Sequence, residues 1–225
     1  MTKTLFKLRR TGALALLCAA MLLGGCATQR QPYDYTAFKQ AKPASLLVLP
    51  PLNQSPEVKG GIGVWSQATL PLAEAGYYVM PVSLVEETFR ENGLTTAADI
   101  HALDRAKLRE VFGADAAVYL TVQQYGTSYA VVSSNTVVAV EGRIVDLRSG
   151  ELLWQGKATA SSAEQQQSNQ AGLVGLLVQA VVSQIIASST DAGYRYAGIA
   201  SNRLLSGGVF NGVLYGPRSP NYGKP

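Results

Sequence analysis

The segment ahead of Cys26 decides how much of this chain is left to fold. Residues 1–10 (MTKTLFKLRR) carry Lys3, Lys7, Arg9 and Arg10 and no acid. Residues 12–23 (GALALLCAAMLL) are apolar, but too few for a comfortable membrane span. A basic stretch, a short apolar stretch and small residues before a cut form the pattern of a secretion signal. The run Leu23-Gly24-Gly25-Cys26 then has the bacterial lipobox order: an aliphatic residue, two small residues, and the cysteine. Small residues admit the backbone to a peptidase cleft, and a free thiol can take a diacylglyceryl group. Cys26 is therefore the expected lipidation site, with Leu23, Gly24 and Gly25 as the rest of the recognition motif. Ala27, in place of an Asp, favours sorting to the outer membrane, with the domain facing the periplasm.

Removing residues 1–25 changes the charge. Of 19 basic side chains, 15 remain against 15 acidic ones, so the precursor's net charge of +4 disappears. The pI of 9.1 belongs to the precursor. A neutral mature chain has no excess of positive charge for nucleic acid, which excludes that partner class. Cys18 leaves with the signal, so Cys26 has no intrachain partner and no disulfide is expected.

Residues 26–43 are polar with two prolines and read as a lipidated tether, in which Tyr33, Tyr35 and Phe38 either stay loose or dock on the domain or a partner. Residues 44–205 read as one globular domain, and residues 206–225, rich in Gly and Pro, as an extended tail. Within the domain, the apolar run 46–49 predicts a buried strand closed by Pro50 and Pro51. Residues 53–63 predict a loop and 64–75 a helix, kinked or late-starting at Pro71. A strand is predicted at 77–80, and a helix from 83 to 91 with Ser83 and Glu86 as a capping box. A turn containing His101 follows, then an amphipathic helix at 104–112. Strands are predicted at 116–125, 131–146 and 152–160, the last two joined by a tight Asp-Leu-Arg-Ser-Gly-Glu turn, and helices at 171–187 and 190–205. The order β-α-β-α-α-β-β-β-α-α predicts an α/β (α+β) domain: a mixed sheet with helices packed mainly on one face.

Several separated runs match a known pattern. They are residues 50–56 (PPLNQSP), 71–79 (PLAEAGYYV), Asp99-Ile100-His101 with Leu108-Arg109-Glu110, 112–116 (FGADA), 145–154 (VDLRSGELLW) and 215–220 (YGPRSP). On these the chain resembles the DUF799 family of bacterial lipoproteins, which includes a neisserial surface-antigen candidate, over nearly all of the mature chain. A wider resemblance, carried by Gly-Ala-Asp-Ala and Val-Asp-Leu-Arg-Ser-Gly-Glu, is to the soluble domains of CsgG and HfaB secretion lipoproteins and to TolB N-terminal and LpoB domains. CsgG builds its pore from long amphipathic hairpins, and residues 126–135 supply no such pair of strands. The resemblance thus implies an accessory on the same fold, rather than a pore.

Candidate sites are few. His101 is the single histidine, near Asp99 and Asp104, and is expected in a surface or helix-end role; a metal site would want more His or Cys ligands. Gly60-Gly61-Ile62-Gly63 precedes a helix and could cradle an anion, but without a following lysine pattern it reads as a flexible turn. No catalytic residue, metal ligand or cofactor is expected. Residues 171–187 (AGLVGLLVQAVVSQIIA) could be a core helix, a subunit contact or, at the short limit, a span. The expectation is a non-enzymatic accessory or assembly lipoprotein, held by its lipid anchor among other envelope lipoproteins of a CsgG-like secretion complex, and able to self-associate. The alternatives are a regulator of a peptidoglycan synthase, as LpoB-likeness implies, and an envelope enzyme. The regulator must reach across the periplasm, and a 17-residue tether extends at most about 60 Å.

Overall fold

In strand β1 (Ser45–Val48) Leu46, Leu47 and Val48 are all fully buried, so both faces of this strand are covered. That pattern is the mark of a parallel strand under helices, and the computed structural model, which describes residues 31–130, 133–166 and 192–224, shows the cause. β1 lies between β3 (Tyr78–Val79) and β4 (Ala116–Ala130), parallel to both. β4 continues antiparallel into β5 (Ser133–Asp146) and β5 into β6 (Leu152–Ser161), and a short β2 (Leu52–Asn53) pairs with β4 beyond the end of β1. The sheet order is β3-β1-β4-β5-β6.

The helices follow from these connections. α1 (Thr36–Ala41) precedes β1, and α2 (Gly60–Glu74) links β2 to β3. α3 (Val82–Glu91), α4 (Ala97–His101) and α5 (Arg105–Phe112) link β3 to β4. The one-turn α6 (Ala163–Gln166) follows β6, and α7 (Ala192–Leu205) runs back over the sheet. The fold is the mixed open α/β sheet that the order of elements predicts. α2 and α7 pack together over the face carried by Leu120, Val140 and Ile144. There Gly142 and Gly156 sit opposite each other and let Leu204 press onto the strands. A Cβ at Gly142 would lie 3.2 Å from Leu204. α4 lies on the other side, with His101 edge-on to Tyr119 at 5.2 Å.

Several boundaries move, each for a physical reason. α2 starts at Gly60, not residue 64. Gly60-Gly61-Ile62-Gly63 is its first turn, and a Cβ at Gly63 would meet the Tyr125 hydroxyl at 2.7 Å. Gly60 and Gly63 make room for a buried tyrosine, and the run is helical, not a flexible turn. α3 begins at Val82 after Pro81 and has no side-chain cap, so the Ser83–Glu86 box does not form. Caps form instead at Thr96, whose hydroxyl accepts from the Asp99 N–H, so that the predicted turn containing His101 is a short helix, and at Asp104, whose carboxylate accepts from the Ala106 N–H at 2.7 Å. β4 runs to Ala130 rather than 125, because its pairing with β5 continues past a bulge at Gln123 to Ala130 opposite Ser133.

The folded unit also begins before residue 44 and includes the tail. From Tyr33 onward the chain is one compact unit. Phe38 is buried, the Tyr33 N–H donates to Asn211 Oδ1 at 2.8 Å, and the Tyr35 hydroxyl donates to the Gly212 carbonyl. At the other end, Val213 is buried, and the N–H groups of Gly216 and Arg218 donate to the carbonyls of Ala75 and Gly76. Aromatic area in a nominal linker, and backbone donors in a nominal tail, are better satisfied on the domain than in water. The expected signal segment and lipobox, with Leu23, Gly24, Gly25 and Cys26, and the apolar stretch 171–187 lie outside the described residues. Among the described residues no helix is long and apolar enough to cross a membrane.

Candidate functional site

β5 alternates cleanly. Val138, Val140 and Ile144 are buried under α7, whereas Glu141 and Arg143 are exposed on the opposite face. α4 stops at Tyr119, and beyond it no described helix covers the second face of β4, β5 and β6. The strand registers arrange its side chains in rows: Tyr119–Arg143–Gln155 and, next to it, Thr121–Glu141–Lys157. With His101 and Leu52 at one side they line an open groove of about 620 Å³.

The groove has a fixed and a free part. The Arg143 guanidinium stacks on the Tyr119 ring, 4.7 Å from its centroid, and the His101 ring meets the same tyrosine edge-on. His101 Nε2–H donates to the Pro50 carbonyl at 2.8 Å, which locks α4 to the end of β1. The bulged Gln123 donates to Glu141 at 3.2 Å. Among the described residues neither Arg143 nor Lys157 has a salt-bridge partner. Beside the groove, the Gln155 N–H donates to the Tyr33 phenol, so the N-terminal segment covers part of the β6 edge. An uncovered edge is otherwise a template for pairing with another strand.

The electrostatics follow burial. Desolvation raises the Tyr119 phenol pKa against the pull of Arg143, so this hydroxyl stays protonated. Burial lowers the His101 pKa, outweighing its hydrogen bond to Pro50, and Arg143 adds to the effect. The folded state thus binds a proton on this ring less readily than the unfolded chain. His101's contribution to stability is complete above the ordinary imidazole value of about 6.5 and erodes as pH falls below it. Because there is no second histidine, urea melts across that window should show stability falling with pH in the native chain and a flat profile in His101→Gln. An unchanged slope in the variant would place the titration elsewhere.

Sequence reasoning found His101 but gave it only a surface or helix-end role. It missed Tyr119, Glu141, Arg143, Gln155 and Lys157, whose spacing of two along strands is the only available signal. Among the described residues no cluster of His, Cys, Asp or Glu could hold a metal ion.

Apart from Leu52 and His101, the signature runs fasten the fold and do not line the groove. Asp115 of Phe-Gly-Ala-Asp-Ala accepts hydrogen bonds from the N–H groups of Ala44 and Ser45 and from the Ser45 hydroxyl. It also pairs with Arg148 of the Val-Asp-Leu-Arg-Ser-Gly-Glu turn at 3.5 Å. Residues 215–220 lie against Gly76, and His101 reaches Pro50. Each signature run touches another, so the pattern encodes the fixings of one fold. A family model described as "Putative lipoprotein GNA1162-like" matches residues 33–218, the span those fixings enclose. The chain belongs to the GNA1162-like lipoprotein family. A curated family member from Neisseria meningitidis serogroup B is 51% identical over 203 residues, 90% of this chain and 94% of the relative. The crystal structure of the lipoprotein GNA1162 from Neisseria meningitidis superposes with a TM-score of 0.52 at 49% identity, covering 66% of this chain and all of that one. The resemblance drawn from the signature runs is thereby borne out.

Proposed function

We propose that this family member is a lipid-anchored accessory of an envelope assembly, without catalytic activity of its own, and that it docks other envelope lipoproteins through the bare face of β4–β6. The observation that carries this reading is the groove itself. Arg143 and Lys157 are exposed cations without described counter-ions, on a rigid sheet, around a tyrosine whose ring is already positioned. A partner that supplies carboxylates and one apolar side chain would satisfy all three, with little ordering cost.

The anchor supports the same reading. Cys26 carries the lipid in this proposal, within the Leu23-Gly24-Gly25-Cys26 motif, and Ala27 directs it to the outer membrane with the domain in the periplasm. The domain begins at Tyr33, and seven residue steps from Cys26 extend at most about 25 Å. That keeps the domain beside the membrane, within reach of other anchored proteins such as a CsgG-like secretion complex. It weighs against the peptidoglycan-synthase regulator, which must act at a distance.

A photoreactive residue placed at Lys157 in cells should give adducts with an envelope lipoprotein. The same residue at Leu84, 64% exposed on α3, should give none. Adducts with a peptidoglycan synthase would favour the regulator, and equal adducts from both positions would sink the groove as the docking surface.

A further inference from the structure

Val209 and Phe210 stand out among the exposed apolar side chains because they are adjacent and their loop is locked. Val209 is 48% and Phe210 63% exposed. The turn under them is closed by the Gly212 N–H on the Val209 carbonyl at 2.8 Å. The Asn211 carbonyl accepts from the indole of Trp154, a buried core residue, at 2.9 Å. Single exposed apolar residues are ordinary on a protein surface. A phenylalanine held outward by a turn fastened to the core gains nothing from its own domain.

The position of this turn indicates what does cover it. Asn211 Oδ1 holds the N–H of Tyr33, the residue at which the chain enters the folded unit, and Gly212 holds the hydroxyl of Tyr35. The apolar tip therefore lies where the N-terminal segment arrives, seven residue steps and at most about 25 Å of chain from Cys26. Tyr35 also walls a second cavity, of about 640 Å³, floored by Phe38 and Tyr77. Lys39, Lys42 and Lys224 stand around it, and no acidic residue is among its described lining. Outward apolar side chains, interfacial tyrosines and lysines are what a protein presents to an anionic lipid surface.

We propose that this face rests on the anionic bilayer, with Val209 and Phe210 inserted among the headgroups and Lys39, Lys42 and Lys224 near lipid phosphates. The proposal rests on the anchoring of Cys26 proposed above. In this arrangement the lipid does more than tether the domain: it sets its orientation and so fixes which way the β4–β6 groove points.

The test separates orientation from lipidation. Residues 26–225 contain one cysteine, Cys26, and include the whole compact unit. They are coupled through that thiol to a maleimide lipid in vesicles of phosphatidylethanolamine and phosphatidylglycerol with brominated acyl chains. Trp65 and Trp154 are buried and set the baseline. Phe210→Trp adds a reporter at the tip. Val58→Trp adds one at a site 90% exposed, beside Glu57, which neighbours Gly126 at the far end of β4. The added emission of Phe210→Trp is expected to fall by more than half in brominated vesicles relative to unbrominated ones, and that of Val58→Trp to stay unchanged. Equal quenching of both reporters, or of neither, would overturn the proposed orientation. Fatty-acid labelling of the native chain against Cys26→Ser in cells reads the anchoring separately, so failure of one reading is not mistaken for failure of the other.

Discussion

Asp115→Ala is expected to lower stability by about 2–3 kcal/mol at neutral pH, the cost of leaving partly buried donors without a charged acceptor. The carboxylate joins three parts of the fold that are far apart in sequence. It receives the Ala44 N–H at 3.0 Å, the Ser45 N–H at 3.1 Å and the Ser45 hydroxyl at 2.9 Å, all at the start of β1. It also faces Arg148 in the β5–β6 turn. Its side chain is 25% exposed, so water recovers part of the loss, which keeps the figure below that of a sealed ion pair. Burial raises the Asp115 pKa. The hydrogen bonds from Ala44 and Ser45, with Arg148 alongside, outweigh that and hold it below the usual carboxyl value. A depressed carboxyl contributes stability above its unfolded pKa and loses it as pH falls through the folded one. Asp115→Asn should therefore be less stable than the native chain at neutral pH and closer to it in acid. Urea melts at both pH values measure this. A constant gap between the two chains would refute the linkage.

The second large effect is expected at Gly76, which joins α2 to β3. Its φ is +97°, a region an L side chain enters at a cost of about 1–2 kcal/mol. A Cβ there would also press on the Ser219 backbone N and lie 2.6 Å from Ser219 Cβ. Ser219 belongs to the segment whose Gly216 and Arg218 N–H groups bond to Ala75 and Gly76, and whose Arg218 stacks over Tyr78 at 5.5 Å. Gly76→Ala must either strain the turn or push residues 215–220 off the domain, for a combined loss of about 3 kcal/mol. Detachment would uncover Tyr77, whose hydroxyl donates to the Leu214 carbonyl at 2.6 Å and whose pKa burial pushes up. Limited proteolysis should then cut the variant within its last residues before the rest of the domain unfolds. Native-like protection of that segment, together with unchanged stability, would show that the contact is dispensable.

Much of the fold was legible. The fully apolar run at 46–49, the alternation along 138–144 and the Asp and Gly of the β5–β6 turn are local signals, and each produced its element. The misread pieces share a cause. Gly60 and Gly63 look like loop glycines until Tyr125 occupies the space they leave. The segment from Tyr33 to Pro43 reads as linker because its partners, Asn211 and Gly212, are over a hundred and seventy residues away. Residues 206–225 read as a tail for the same reason.

The candidate site was less legible than the fold. Arg143, Glu141 and Lys157 look like the solvent face of any half-covered sheet, since alternation says that one face is polar and not what the polar face is for. Only registry puts Tyr119, Arg143 and Gln155 in one row, and only the end of α4 at His101 leaves that row open on one side.

By itself the sequence determined the order of the longer strands and helices from β1 to β6, though not α1, β2 or α4, together with the family to which the chain belongs and the lipobox that makes Cys26 the expected anchor. All of these depend on residue type and near-neighbour spacing. Tertiary structure alone decided that Tyr33 and Tyr35 close on the turn at Asn211 and Gly212, that the signature runs fasten one another, and that the described residues leave a charged groove open. Those depend on which distant surfaces meet, and meeting is governed by packing and by buried donors finding acceptors, which no local pattern records.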